Sequence, residues 1–331
     1  MCQPTSMESI EKAKIRAKTF RKEVFDGLTD FPKHLSSKYF YDHNGDQLFQ
    51  DIMAMPEYYL TGCELEIITA YTQAIGELFR DKENGLDLIE LGAGDGKKTK
   101  VLLKYMTDEK FNFIYKPIDI SQNALKSLRL SLADEIPSLQ VDAEVGEYFE
   151  VLDRLKSFDK RKKVIMLLGS NLGNLEHPKA LTFLTKLRKT LLDEDLLFIG
   201  LDQKKDPEVI LNAYNDPTGI TAAFNKNILV RINRELGGNF DVGKFRHWEA
   251  YNPETGTAKS FLVATEAMDV EIKELDRTIH FDAWETIHTE ISQKYDEKTV
   301  EWLAEEAGLE IVESFTDKRG YYKNYAFRRK M

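Results

Sequence analysis

The chain is poor in cysteine: only Cys2 and Cys63 occur in 331 residues. Two thiols build neither a disulfide framework nor a zinc site. The six histidines form no His-x-x-x-His pair, so no metal centre is expected. A basic stripe is also missing. The formal net charge is −10, and the short run Lys160 to Lys163 reads as a solvated loop. A nucleic-acid partner, whose phosphates need a positive face, is therefore not expected. No apolar run approaches bilayer-spanning length, and the N-terminus lacks the apolar segment of a secretory leader. These absences leave the expectation of a protein in a reducing, aqueous compartment, read as cytoplasmic, with no membrane partner.

What is present is enough apolar material for a core, 42% of residues, in a chain longer than one average domain. Helical patterns cover residues 8–26, 47–55 (stopped by Pro56) and 61–80, with an irregular stretch at 28–45. From Leu86 the chain changes character. Compact apolar runs at 86–91, 113–120, 140–145, 163–169 and 195–201 alternate with helical stretches at 97–106, 122–132 and 177–192. Continuous apolar strands separated by helices predict a parallel sheet covered on both faces. After Asp202 the rhythm breaks. A long helical stretch at 206–235 is interrupted near Pro217, and strands of a more antiparallel kind follow at 260–267, 270–272 and 286–295. A helix at 299–307 and two last strands at 311–315 and 325–327 could complete the first sheet. The expected fold is α/β: a Rossmann-like domain of residues 63–202 plus 293–331, with a second, smaller α+β lobe of residues 1–62 plus 203–292.

One loop carries chemistry. Glu90-Leu91-Gly92-Ala93-Gly94-Asp95-Gly96 lies between a strand and a helix. Its glycines permit a tight turn and close approach of a ligand, and the helix that follows offers free N–H groups to an anion. Alone, this loop reads equally well as a cofactor cradle or as a structural turn. Two further acids tilt the balance. Asp119, at the end of the second strand, can accept from both ribose hydroxyls. Glu147, beside Tyr148 after the third, can meet an adenine. Acid at the loop, acid after strand two and acid after strand three form the pattern of S-adenosylmethionine methyltransferases.

The chain also resembles the histidine Nα-methyltransferase family, known from ergothioneine biosynthesis. The resemblance lies in Lys38-Tyr39-Phe40-Tyr41-Asp42, Pro56-Glu57-Tyr58-Tyr59, Glu90 to Thr99, Gly169-Ser170-Asn171-Leu172-Gly173-Asn174, Ala213-Tyr214-Asn215-Asp216, Gly219 to Asn225, Asn233-Arg234-Glu235-Leu236 and Thr289-Glu290-Ile291-Ser292. It implies an adenosylmethionine-dependent methyltransferase acting on the α-amine of histidine, a small amino-acid substrate, and a second lobe that binds it. It implies that Tyr58, Asn174 and Tyr214 hold the amino and carboxylate groups, with Tyr41 near substrate and cofactor. Gly92, Lys98, Asp119, Glu147 and Tyr148 would surround the cofactor, together with Gly94 of the loop. Glu290 and Ser292 would bind the imidazole.

The residues speak independently to the last point. Glu290 and Ser292 are two apart on a strand candidate, so their side chains share a face. A carboxylate accepts an imidazole N–H, and a hydroxyl serves the other nitrogen. By spacing alone, a solvent-facing pair on a strand edge is the commoner case; the resemblance reverses that. Where the family commonly has a methionine beside the substrate ring, this chain has Ser260. Methylation of another amino acid, such as tryptophan or a derivative, and a catalytically silent binding protein are the competing readings. A monomer is expected.

Overall fold

The structure is a computed structural model and describes residues 7–146, 148 and 161–330. The chain divides into two compact units: Met1–Ala54, Leu211–Tyr251 and Ala258–Glu290 in the first, and Met55–Ile210, Asn252–Thr257 and Ile291–Met331 in the second. These limits differ from the expected 62/63, 202/203 and 292/293. The reason is the helix after Pro56. It buries Tyr59, Glu64 and Ile67 and bonds Tyr59 to Asp202 at the end of a sheet strand, so it belongs with the sheet.

The second unit is built on a seven-stranded sheet. Its strands are β1 (Leu86–Leu91), β2 (Phe113–Asp119), β3 (Glu144–Val145), β4 (Lys162–Leu167), β5 (Leu196–Asp202), β11 (Leu309–Thr316) and β12 (Tyr322–Arg329), in the order β11-β12-β5-β4-β1-β2-β3. β1 to β5 are parallel, and β12 returns antiparallel to β5. β1 and β5 are buried at every position, which is why they read as unbroken apolar runs rather than alternations. Ile89, Ile165, Leu197 and Ile199 form the core with Phe183, Leu187, Leu303 and Tyr325.

The helices of this unit are α3 (Tyr59–Ala70), α4 (Thr72–Phe79), α5 (Thr99–Asp108), α6 (Gln122–Glu135), α7 (His177–Arg188), α8 (Pro207–Tyr214), which runs on across the division of the chain, and α10 (Glu297–Ala307). The pattern at 61–80 predicts one helix, yet it breaks at Tyr71. Thr72 turns its hydroxyl onto the Ile68 carbonyl there, a local bond that competes with the helix ladder. Other helix ends are fixed by local chemistry. Pro178 sits in the first turn of α7, and Asp296 caps α10 by accepting from the Thr299 N–H. Gly308 ends α10 in the left-handed conformation.

The first unit holds α1 (Met7–Thr29), α2 (His43–Ala54) and α9 (Ile220–Leu236). With them go a three-stranded sheet of β6 (Phe245–Asn252), β7 (Thr257–Ala264) and β10 (Thr286–Gln293) and a hairpin of β8 (Met268–Ile272) with β9 (Arg277–Phe281). β9 is a strand that the pass along the sequence leaves out. Its alternation is short, and the left-handed Asp276 that makes the hairpin turn is not a glycine. The irregular stretch at 28–45 resolves into a turn of 3₁₀ helix at Ser37–Phe40 and the start of α2. Phe240, Phe245 and Phe281 pack edge to face in its core. Among the described residues, no helix is long and apolar enough to cross a membrane.

Candidate active site

In the second unit β1 has β4 on one side and β2 on the other. The chain order reverses at β1, and in open α/β sheets ligands bind outside the carboxyl ends of strands at such a point. The glycine loop leaves β1 there, and Gly169 to Asn174 leaves β4. The loop is tied to the neighbouring strand by Gly92 N–H donating to the Ile118 carbonyl at 2.7 Å.

Two glycines are required for different reasons. Gly92 has φ +76°, and a Cβ there would lie 2.5 Å from the Tyr148 hydroxyl and 2.8 Å from Asn171 Nδ2. Gly94 has φ +54°, and a Cβ there would meet nothing within 4 Å. The loop is thus pressed against protein at Gly92 and open at Gly94. Asp119 lies beneath the open part. Its Oδ2 accepts the Gly94 N–H at 3.0 Å, and Oδ1 accepts the Ser121 N–H at 2.8 Å. Burial raises its pKa, opposed by these backbone donors. Each carboxylate oxygen retains a lone pair for a further donor, so the set fits a ribose-bearing cofactor at the loop.

Glu90 behaves differently from the acid pattern read in the sequence. It points into the core and accepts from Thr99 Oγ1 at 2.7 Å and from the Tyr115 hydroxyl at 2.5 Å. Burial pushes its pKa up to about 7. Its work is to brace β1 against β2 and the start of α5. Lys98 is also engaged. Its Nζ pairs at 2.5 Å with Glu64, a fully buried carboxylate on α3 that also accepts from the Gly169 N–H at 2.7 Å and Asn324 Nδ2 at 2.9 Å. The pair braces the loops after β1 and β4. Tyr148 stands against Gly92 and places its ring edge to face with Phe183 at 6.2 Å. Glu147 lies outside the described residues.

Asn174 closes the single 3₁₀ turn Asn171–Asn174 after β4. Ser170 enters that turn in the left-handed conformation. Asn174 is exposed, whereas Leu172 and Gly173 beside it are buried. Tyr58 is half-buried at the start of α3. Ser292 is buried near the end of β10, and Lys294 Nζ donates to its hydroxyl at 2.8 Å.

The first unit places the other expected residues. Tyr41 is half-buried, with its ring edge toward Phe49 and Phe224, each at 5.5 Å. The adjoining Asp42 pins this segment to α9 by accepting from Asn227 Nδ2 at 2.8 Å and Arg234 at 2.6 Å. Tyr214 is buried at the end of α8, and its carbonyl accepts from His247 Nε2 at 2.9 Å. His247 Nδ1 in turn faces Asn225 Nδ2 at 2.8 Å. A carbonyl and an amide N–H on opposite ring nitrogens require the neutral Nε2–H tautomer, in line with the lowering of its pKa by burial. Ser260 is buried on β7 and donates to Glu249 Oε2 at 2.7 Å. Glu290 is half-buried on β10, the same strand as Ser292.

Sequence reasoning missed Glu64, Asn171, His247 and the Asp202–Lys294 pair. Asp202 had a readable signal, an acid at the carboxyl end of a parallel strand. The others are meetings of residues far apart in the chain.

An open α/β sheet with a glycine loop after its first strand and an acid after its second is the frame of a nucleotide-cofactor enzyme, and the family match makes this one an S-adenosylmethionine-dependent methyltransferase. The chain belongs to the family described as histidine-specific methyltransferase, SAM-dependent, whose model matches residues 20–329. It is 35% identical over 305 residues to the histidine N-alpha-methyltransferase of Mycolicibacterium smegmatis, covering 92% of this chain and 93% of that one. The corresponding Mycobacterium tuberculosis protein is 34% identical over 91% of this chain and 92% of its own. Ergothioneine biosynthesis protein 1 of Neurospora crassa is 31% identical over 87% of this chain, which matches 32% of that longer protein.

Proposed function

We propose that this methyltransferase transfers methyl groups to the α-amine of L-histidine, ending at the trimethylated betaine hercynine. The observation that carries the reading is the arrangement at the carboxyl end of the second unit's sheet. Gly94 is open-sided with Asp119 beneath it, and the exposed Asn174 lies on the turn after β4. Asp119 takes the ribose hydroxyls, Gly92 and Gly94 admit the cofactor's backbone side, and Tyr148 and Glu147 take the adenine. Lys98 offers its remaining ammonium protons to the cofactor's carboxylate.

Bound adenosylmethionine would supply an activated methyl whose sulfonium sulfur can leave as a neutral thioether without acid catalysis. The protein's task is therefore to position the amine with its lone pair aimed at the methyl carbon. Tyr58 and Asn174 orient that nitrogen, Tyr214 holds the carboxylate, and Tyr41 borders both substrate and cofactor. A substrate ammonium brought beside a second cation and out of water has its pKa lowered, and this favours the neutral nucleophile. Tyrosine faces then favour the growing cationic product. Glu290 and Ser292 serve the two imidazole nitrogens. A site that pairs both rejects side chains that leave either unpaired. The Ser260–Glu249 pair presents polar atoms where a methionine would present a thioether, which supports a polar ring over an indole. By this reading the second unit is the cofactor domain and the first a substrate-binding lobe, in a monomer working in the cytoplasm.

The test is incubation of the chain with adenosylmethionine and single amino acids, followed by mass spectrometry. Mass gains of one, two and three methyl groups on histidine are expected. No gain on histidine, or equal gain on tryptophan, overturns the reading.

A further inference from the structure

The first unit holds a hydrogen-bond relay that the reaction above leaves unused. Tyr214 is the last residue of α8, and the last carbonyls of a helix have no partner within it. The carbonyl of the buried Tyr214 is met by His247 Nε2 on β6, at 2.9 Å. Nδ1 of the same ring faces Asn225 Nδ2 on α9 at 2.8 Å, and that nitrogen also donates to the Phe261 carbonyl on β7 at 3.2 Å. The carbonyl at either end can only accept, so the relay has one polarity. Asn225 gives one amide hydrogen to Phe261 and the other to Nδ1, and the neutral ring gives its Nε2–H to Tyr214. Asn225 is 2% exposed, yet its Oδ1 has no partner among the described residues. Buried polar atoms seldom go unpaired. The amide is therefore held for its two donors, with its acceptor left over.

The segment after Tyr214 is fixed at its far end as well. Asp216 accepts from the Ile220 N–H at 3.0 Å and from the Thr221 N–H at 2.8 Å, both in the first turn of α9. Between these two anchors the backbone at Tyr214 has little freedom, and the direction of a side chain follows from its backbone. We propose that His247 is a positioning residue for substrate binding: through the Tyr214 carbonyl, the relay from Phe261 and Asn225 aims the Tyr214 phenol at the carboxylate of the amino acid. The inference deepens the reading that Tyr214 holds that carboxylate, and rests on it. The imidazole is a rigid spacer with an acceptor on one side and a donor on the other, so it carries the placement of α9 and the β6–β7 pair to the end of α8. Burial lowers the pKa of the ring and favours the neutral form that the relay requires.

The experiment measures the Kd of histidine and of histamine by calorimetry in the presence of adenosylhomocysteine. Histamine keeps the ring and the amine and lacks the carboxylate, so the ratio of the two isolates the group that Tyr214 holds. The wild type is expected to favour histidine by about tenfold or more, the scale of a hydrogen bond to a charged group. His247→Asn keeps an acceptor near Nδ1 and has nothing to reach the Tyr214 carbonyl. In this variant histidine binding should weaken by about tenfold while histamine binding changes little, so that the preference shrinks. His247→Gln keeps an N–H at the reach of Nε2 and should retain most of the preference. Adenosylhomocysteine affinity should stay at the wild-type level in both. Equal weakening of the two ligands in His247→Asn, or the same loss of preference in the Asn and Gln variants, overturns the inference. Should His247→Asn fail to fold, Asn225→Ala, which removes the bond that fixes the tautomer, takes its place, and equal weakening of the two ligands there has the same meaning. Tyr214→Phe separates the two claims. If it leaves the preference unchanged, the placement of Tyr214 at the carboxylate fails. If it removes the preference while His247→Asn keeps it, only the inference about His247 fails.

Discussion

Gly92→Ala tests whether the loop is held as described. The alanine must adopt φ +76° and set its Cβ 2.5 Å from the Tyr148 hydroxyl and 2.8 Å from Asn171 Nδ2. The left-handed backbone costs about 1–2 kcal/mol for a residue with a Cβ, and an overpacked contact costs about 1–3 kcal/mol more. Destabilisation of roughly 2–5 kcal/mol is expected in urea denaturation. The hydroxyl is the closest atom of Tyr148, since its Cζ lies 3.6 Å from the same point. Tyr148→Phe should therefore relieve part of the clash, and the double variant should recover about 1 kcal/mol relative to the sum of the singles. Gly94→Ala is the counterpart. It meets no protein atom within 4 Å, so its stability cost is the backbone term alone, about 1–2 kcal/mol. Its Cβ nonetheless enters the open side of the loop, and adenosylmethionine affinity by calorimetry should drop at least tenfold. Strict additivity of Gly92→Ala with Tyr148→Phe would refute the contact. Wild-type cofactor affinity in Gly94→Ala would refute the placement of the cofactor at the open side.

Glu290→Ala is expected to lose histidine affinity in calorimetry while adenosylmethionine binding stays at the wild-type level; unchanged histidine affinity would remove Glu290 from the ring. Burial holds the Glu90 carboxyl at about 7 in the folded state, above its ordinary 4.5. Between those values the native state binds the extra proton, so this group makes stability fall as pH rises from about 4.5 to 7, by at most about 1.4 kcal/mol per pH unit. Chemical denaturation of Glu90→Gln across that range should lack this slope, and an identical pH profile would contradict the assignment. Lys98→Ala strands the buried Glu64 carboxylate and should cost about 3–5 kcal/mol. Adding Glu64→Gln should restore much of it, and a loss below 1 kcal/mol in the single variant would mean the pair braces nothing.

The second unit's sheet was largely legible because its strands are buried on both faces. Runs such as 86–91 and 195–201 leave little choice of conformation once glycines and helical periods bound them. The glycine loop and Asp119 were legible for a related reason. A turn with φ above zero needs glycine, and a strand-end carboxylate aimed at its backbone is a local arrangement. Boundaries were less legible. The break at Tyr71 depends on where one threonine hydroxyl turns, and β9 depends on a hairpin whose turn residue is an aspartate.

Roles were the least legible. Glu90 looked like part of a ligand-facing set, yet Thr99 and Tyr115 draw it inward. Lys98 was expected beside the cofactor from the resemblance alone, and its pairing with a carboxylate 34 residues earlier was not legible. Ser260 was read only as standing where the family commonly has a methionine, and the bond of its hydroxyl to Glu249 on the neighbouring strand was not legible.

The amino-acid order alone determined the element types, the glycine turn and the family, since these rest on periodicity, backbone freedom and ordered motifs within short windows. Tertiary structure alone decided which charges are paired. Lys98 with Glu64, and Lys294 with Asp202 and Ser292, meet only after α3, β5 and β10 are in place. A buried charge takes its state from its neighbours in space, and those neighbours are separated along the chain.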